Sequence, residues 1–356
     1  MKKSFVFLGV ALVAALALCV AWQGSAYAED KKIEMSFSSI YMNKHNTVVS
    51  GWKPWIKEIE EKTGGRVKLN YYDPGTLSPD REVWSSVLSG AVDLGTAFCP
   101  VNPGKFPLTE VMELPLIAPG AEAGSLVTWD LCQKYPEWRE LFKDVKLLWM
   151  WTSATYQIHT KNKLIRTLED LKGMRIIGWN PGILETIRLL GGNPIEIGYL
   201  DTYLAMERGM ADGVCCPLAP IRSLKISDAA KYTTVIDMMV GPFWGAMNIK
   251  LWNSLPKDIQ NVFLETTGEK MVRITGQTLD QGAAQDAKWL KDTKGHKFYV
   301  VPDQEKKRWL QVISPMHEAW VNKMDKQGYK NAKAILEDAI LLGEKYAKVT
   351  GRGYQE

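Results

Sequence analysis

Residues 170–192 read "DLKGMRIIGWNPGILETIRLLGG", and the fold turns on how this stretch is divided. "GMRIIGW" (173–179) is a short apolar run bounded by glycines, which predicts a buried strand. "NPGILETIRLLGG" (180–192) then predicts a helix, with Asn180 as its cap, Pro181 in the first helical position and Gly191 near its end. Arg175 lies inside the strand and poses a question of its own: it either holds an anionic ligand or is a surface charge beside a buried strand.

The rhythm continues outward from there. "PIEIGY" (194–199) reads as a strand, "LDTYLAMERG" (200–209) as a helix and "ADGVCCP" (211–217) as a strand. Upstream, "KKIEMSFSSIY" (31–41) and "RVKLNYYD" (66–73) read as strands. Between them "TVVSGWKPWIKEIEEKTGG" (47–65) carries Val49, Trp52, Trp55, Ile56 and Ile59 at helical spacing, stopped by Gly64 and Gly65. In "LSPDREVWSSVLSGAVDLGTAF" (77–98), Ser78 is the expected cap of a helix that leads into a short buried strand. Both units alternate strand and helix, which implies parallel sheets covered on both faces. "AMNIKLWNSLP" (246–256) adds a strand, after which the chain reads as mostly helical, with "NAKAILEDAILLGEKYAKV" (331–349) amphipathic. Without a flexible linker or repeat, two such units imply an α/β protein of two lobes, several crossings between them, and a cleft.

The first 28 residues carry Lys2 and Lys3, an apolar run from Phe5 to about Val20, and Ala26-Tyr27-Ala28. This pattern reads as a secretory signal peptide cleaved after Ala28 rather than a membrane anchor. Cys19 raises a lipoprotein anchor, which the bulky Leu18 before it disfavours. The expectation is an exported, soluble, periplasmic protein. Cleavage lowers the formal charge from +4 to +2, without the basic excess expected of a nucleic-acid binder. Cys99, Cys132, Cys215 and Cys216 are left, and sequence selects none of their possible pairings. Buried thiols are the preferred reading, because adjacent cysteines bridge poorly and the four histidines show no metal-ligand spacing. No nucleophile elbow, zinc-binding helix, phosphate loop or dinucleotide fingerprint occurs, so neither catalysis nor a cofactor is expected.

The order of several segments resembles the solute-binding proteins of the tripartite ATP-independent periplasmic (TRAP) transporters, DctP type. These are "EEKTGGRVKLNYYDPGTLSPDREVW" (60–84), "SGAVDLGTAF" (89–98), "KFPLTEVMELPLI" (105–117), "LIRTLEDLKGMRI" (164–176), "LGGNPIEIGYLDTYLAMERGMADG" (190–213) and "MNIKLWNSLPKDIQ" (247–260). The resemblance implies a type II-like periplasmic binding protein fold, its lobes joined by crossing strands and a long helix. The expected division is 29–154 plus 243–282 for the first lobe, and 155–242 plus 283–356 for the second, with the C-terminal helices packing across both. It also implies capture of a small organic solute, most often an acid, and delivery to membrane permease subunits driven by an ion gradient. A monomer is expected and a dimer left open. Rival readings are a receptor for an ABC importer or sensor, and an exported enzyme on the same scaffold.

The family's D-L-K-G-x-K-x-R block ends in an arginine that clamps the ligand carboxylate, because a planar guanidinium matches a carboxylate with two hydrogen bonds. Here that position is Ile177, with Arg175 in place of the preceding lysine. A second basic position of the family falls on Gln157, and a polar asparagine position on Cys216. Arg175 faces the same side as residue 177 in a strand, which keeps it a candidate, but the preferred reading is a surface charge. Aromatics gather at matching positions: Trp151, Tyr156, Trp179, Tyr199, Phe243 and Trp244. The first lobe nominates Tyr41, Asn43, His45, Asp80 and Phe98, and backbone N–H groups from Asn180 to Gly182 could replace lost charge. The expected ligand is a small organic acid held in an unusually aromatic, weakly cationic site, with an aromatic or amino-acid-like compound next; a cation held by ring faces is also compatible.

Overall fold

The computed structural model describes residues 32–350. The signal peptide and Cys19 lie outside the described residues. β1 (Ile33–Ser38), β2 (Val67–Tyr72) and β3 (Leu94–Phe98) run parallel in the order β2-β1-β3. β10 (Pro242–Asn248) and β4 (Val145–Thr152) extend that sheet, β10 lying antiparallel between β3 and β4. The second sheet has the order β11-β9-β5-β8-β6-β7. Its strands are β5 (Gln157–Thr160), β6 (Arg175–Gly178), β7 (Asn193–Glu196), β8 (Gly213–Cys216), β9 (Tyr232–Val235) and β11 (Lys297–Val300).

Local chemistry explains the elements. Gly64 and Gly65 take positive φ after the helix Lys53–Lys62, where a side chain would be strained. Asn180 accepts a hydrogen bond from Ile183 N–H and starts the helix Pro181–Leu189. Ser78 is not the cap expected of it. A 3₁₀ turn, Asp80–Glu82, precedes the helix Val83–Ser89, and the buried Ser78 hydroxyl has no hydrogen-bond partner among the described residues.

Four segments pass between the lobes. β4 leads to β5, and β9 leads to β10 through residues that pair across the hinge: Ser153 N–H donates to Gly241 O (2.9 Å) and Tyr156 N–H to Met239 O (2.9 Å). The third is the 26-residue helix Glu269–Lys294. On the first lobe, its Asp280 accepts hydrogen bonds from Ala121 and Glu122 N–H at 2.8 and 2.9 Å, capping the helix Ala121–Lys134. On the second, its Asp286 pairs with Arg222 at 3.0 Å. The fourth is the return of the C-terminal helix Ala332–Thr350 to the first lobe, where the Tyr346 hydroxyl donates to Asp130 at 2.6 Å.

The helix crossing over the first lobe depends on one small residue. A Cβ on Gly276 would stand 2.5 Å from Glu122 Cα and 2.9 Å from its nitrogen. Gly276→Ala therefore has to push two backbones apart, and should destabilise the protein by about 2 kcal/mol, read as a lower urea midpoint at unchanged slope.

Candidate functional site

Successive residues of a strand face opposite sides, and in β10 this separates two candidates. Phe243 faces the lobe boundary, stacked on Trp151 (5.3 Å between ring centroids, 10° between planes) and tilted against Phe98 at 4.8 Å. Tyr41 completes this group, 6.2 Å from Phe243 and stacked on His45 at 4.2 Å. The Tyr41 hydroxyl accepts a hydrogen bond from Trp151 Nε1 at 3.2 Å. Burial raises the Tyr41 hydroxyl pKa and lowers that of His45 to about 4, so both are neutral at pH 7. Trp244 faces the other way, edge-on to Trp84 at 5.2 Å, fully buried in the first lobe. Its nomination is corrected by the pleat of the strand.

From the second lobe come Trp179 and Tyr199, edge to face at 5.0 Å. Trp179 Nε1 donates to Thr202 Oγ1 at 3.0 Å, which fixes the indole. Tyr199 is 43 % exposed on the second lobe. Tyr156, in the hinge, places its hydroxyl beside Phe98 over Gly241. Asn43 and Asp80 stand exposed on the first lobe, and the Asn43 N–H donates to Asp73 at 2.6 Å.

The positions where relatives carry charge hold none that is free. Arg175 sits at the outer end of β6, exposed, and its guanidinium meets the Asp212 carboxylate with two hydrogen bonds, at 2.8 and 3.2 Å. Ile177 is fully buried. Cys216 is buried, its thiol pKa raised by desolvation, and its carbonyl meets His159 Nε2 at 3.0 Å. Gln157 has both ends of its amide committed. Nε2 donates to Asp237 Oδ1 (2.8 Å) and Thr155 Oγ1 (3.0 Å), while Oε1 accepts from Ile236 and Asp237 N–H at 2.8 and 3.0 Å. Gln157 thus straps the hinge, where Asp237 takes a positive φ of 51°. The cysteines at 99, 132, 215 and 216 are all free and buried.

Sequence reasoning missed two features. Asn180 is buried, and its Nδ2 has no partner among the described residues while Oδ1 caps the helix. Beside the aromatic group lies a cavity of about 440 Å³, lined by residues 99–114, the helix Pro181–Leu189 and the helix Pro315–Lys326. Its floor holds Glu113, whose signal in the sequence is an acid between Met112 and Leu114 in an otherwise apolar run.

Two α/β lobes, four crossings and a boundary between them define a two-lobed solute-binding receptor. The chain belongs to the bacterial extracellular solute-binding protein family 7, DctP type, which matches residues 37–324. This is a family of transport receptors and not of enzymes. The C4-dicarboxylate-binding periplasmic protein DctP of Rhodobacter capsulatus is 24% identical over 327 residues, 91% of this chain and 96% of the relative. A TRAP periplasmic solute-binding protein from Desulfovibrio salexigens, solved as an open complex, is 29% identical with a TM-score of 0.80, covering 91% of this chain and 98% of that one. A TRAP solute-binding protein from Rhodoferax ferrireducens, in complex with copurified benzoate, is 24% identical with a TM-score of 0.83, covering 90% of this chain and 100% of that one. Among the described residues, no helix is long and apolar enough to cross a membrane.

Proposed function

We propose that this receptor captures a small aromatic acid between its lobes in the periplasm and delivers it to an ion-gradient-driven TRAP permease. The lobes in this reading are 29–154 with 243–282, and 155–242 with 283–356, the C-terminal helices packing across both. The observation that carries the proposal is the aromatic group of Tyr41, Phe98 and Phe243, backed by the fully buried Trp151, with the exposed Tyr199 on the second lobe. Aromatic faces bury a planar ligand well and orient it by offset or edge contacts. The benzoate bound by the Rhodoferax relative is a ligand of this kind. With Arg175 committed to Asp212, the carboxylate is received by neutral donors: Asn180 Nδ2 and the Gly182 N–H, since Pro181 has none and Ile183 and Leu184 donate to Asn180.

Calorimetry with benzoate and succinate tests this. Benzoate should bind the wild type and succinate should not. Phe243→Ala should weaken benzoate at least about tenfold, the loss of one ring contact and its buried area, while Arg175→Ala leaves it unchanged. Loss of binding in Arg175→Ala would sink the neutral-donor reading. Uptake of labelled benzoate into proteoliposomes holding the permease subunits, with and without receptor, tests delivery.

A further inference from the structure

The cavity beside the aromatic group has an electrostatic imbalance that packing does not explain. Glu113 is 6 % exposed and forms no hydrogen bond or ion pair among the described residues. Its Oε2 stands 3.2 Å from where a Cβ would sit on Gly182, so the carboxyl reaches from the first lobe to the helix start of the second. The other charges of the cavity are already matched. Lys323 Nζ lies 2.6 Å from Glu110 Oε2, and Glu185 pairs with Arg188. Phe106, Leu114, Leu189, Met316 and Trp320 make most of the remaining wall apolar. A buried carboxylate without a partner is costly, and an apolar chamber of this size with one such group suits a ligand carrying one positive charge on an apolar body.

We propose that this cavity is a second binding site, for a small organic ammonium ion with an apolar body, and that the Glu113 carboxylate is its counter-ion. The walls come from both lobes and from the helix Pro315–Lys326, so the bound ion favours the arrangement in which the lobes meet. The proposal does not rest on the aromatic-acid reading.

Binding should also release a proton. The groups facing Glu113 are Glu110 on its own turn, Lys323 and Glu185 across the cavity, and Cys99 and Tyr156 behind it. Burial pushes the Glu113 carboxyl up to about 8, with Glu110 adding to the rise and Lys323 opposing it, so at pH 7 the free protein holds it mostly as the acid. An ammonium ion converts it to the carboxylate, and the proton passes to buffer.

Calorimetry with 2-phenylethylamine at pH 7, on full-length mature protein saturated with benzoate, provides the test. The amine should bind with heats that change with the ionisation enthalpy of the buffer, and 2-phenylethanol, its uncharged analogue, should bind far more weakly. Glu113→Gln should weaken the amine roughly 10- to 100-fold, the range for a hydrogen-bonded charge. Ala319→Phe, which fills the cavity from the helix Pro315–Lys326, should abolish binding, and Arg175→Ala, outside the cavity, should leave it intact. Equal affinity of wild type and Glu113→Gln for the amine overturns the proposal, as does absence of amine binding at millimolar concentration. Failure of benzoate alone counts against the aromatic-acid reading only.

Discussion

Glu113→Gln is expected to melt above the wild type at pH 8 and level with it at pH 4.5. Burial raises the carboxyl from an ordinary value of 4.5 to about 8 in the folded protein. The sign follows from which state holds the proton. Below pH 4.5 both states are protonated, and Glu113 carries no titration penalty. Between 4.5 and 8 the unfolded chain ionises while the folded one does not, so rising pH draws the equilibrium toward unfolding. At pH 7 the cost is on the order of 3 kcal/mol, at about 1.4 kcal/mol for each pH unit. Glutamine has the same shape and one neutral polar head, so it shares the cost of burying a polar group but not the titration. Thermal melts of the two proteins at pH 4.5, 6 and 8 should therefore diverge with pH, reaching several degrees. A constant offset at all three values would mean that Glu113 is not held as an acid. A buried acid that lowers stability at working pH and lines a cavity is the pattern of a functional group rather than of packing.

What was legible in the sequence was whatever neighbours along the chain decide. Asn180, Pro181 and the glycine pairs punctuate helices by their own backbone preferences, and the strand–helix alternation follows from burial on two faces. Pairing across the sheet is not written locally. Nothing in "AMNIKLWNSLP" says that β10 runs antiparallel between β3 and β4, although that strand makes the second crossing between lobes. The sequence places this strand at 246–256, whereas β10 is Pro242–Asn248 and Ile249–Ser254 is helical; only with that shift do Phe243 and Trp244 become adjacent strand residues that cannot both face the cleft. Gln157 is different, since its amide is exhausted by Asp237 and Ile236, some eighty residues away. Glu113 is legible only as an acid among apolar residues, and its cavity exists because the second lobe and the helix Pro315–Lys326 close over it.

His159→Gln is expected to flatten the acid limb of the stability curve by about 1.4 kcal/mol per pH unit below pH 6.5. His159 and His296 are joined through one hydroxyl. His159 Nδ1 lies 2.9 Å from Thr233 Oγ1, which lies 2.7 Å from His296 Nε2. The geometry fixes the protons. Only N–H can face the Cys216 carbonyl, so His159 Nε2 donates there, Nδ1 accepts from the Thr233 hydroxyl, and that oxygen in turn accepts from His296 Nε2–H. A further proton on His159 Nδ1 would meet the Thr233 hydrogen head-on and break the chain. Burial, reinforced by the positive charge His296 would present, lowers His159 to about 3; burial, with Lys231 adding to it, lowers His296 to about 4. The unfolded chain takes up protons from 6.5 downward while the folded one does not, so stability is full above pH 6.5 and falls as pH drops toward 4. Glu113 pulls in the opposite sense over part of this range, so urea titrations at pH 4.5, 5.5 and 6.5 are best compared in the Glu113→Gln background. Equal slopes with and without His159→Gln would exclude the neutral chain. Because His159 holds the carbonyl of Cys216 at the end of β8, beside Tyr199, acid should loosen the second lobe's face of the cleft first. Benzoate affinity should then fall with pH before the protein unfolds, and His159→Gln, which retains a donor for that carbonyl and does not titrate, should hold its affinity to lower pH than the wild type.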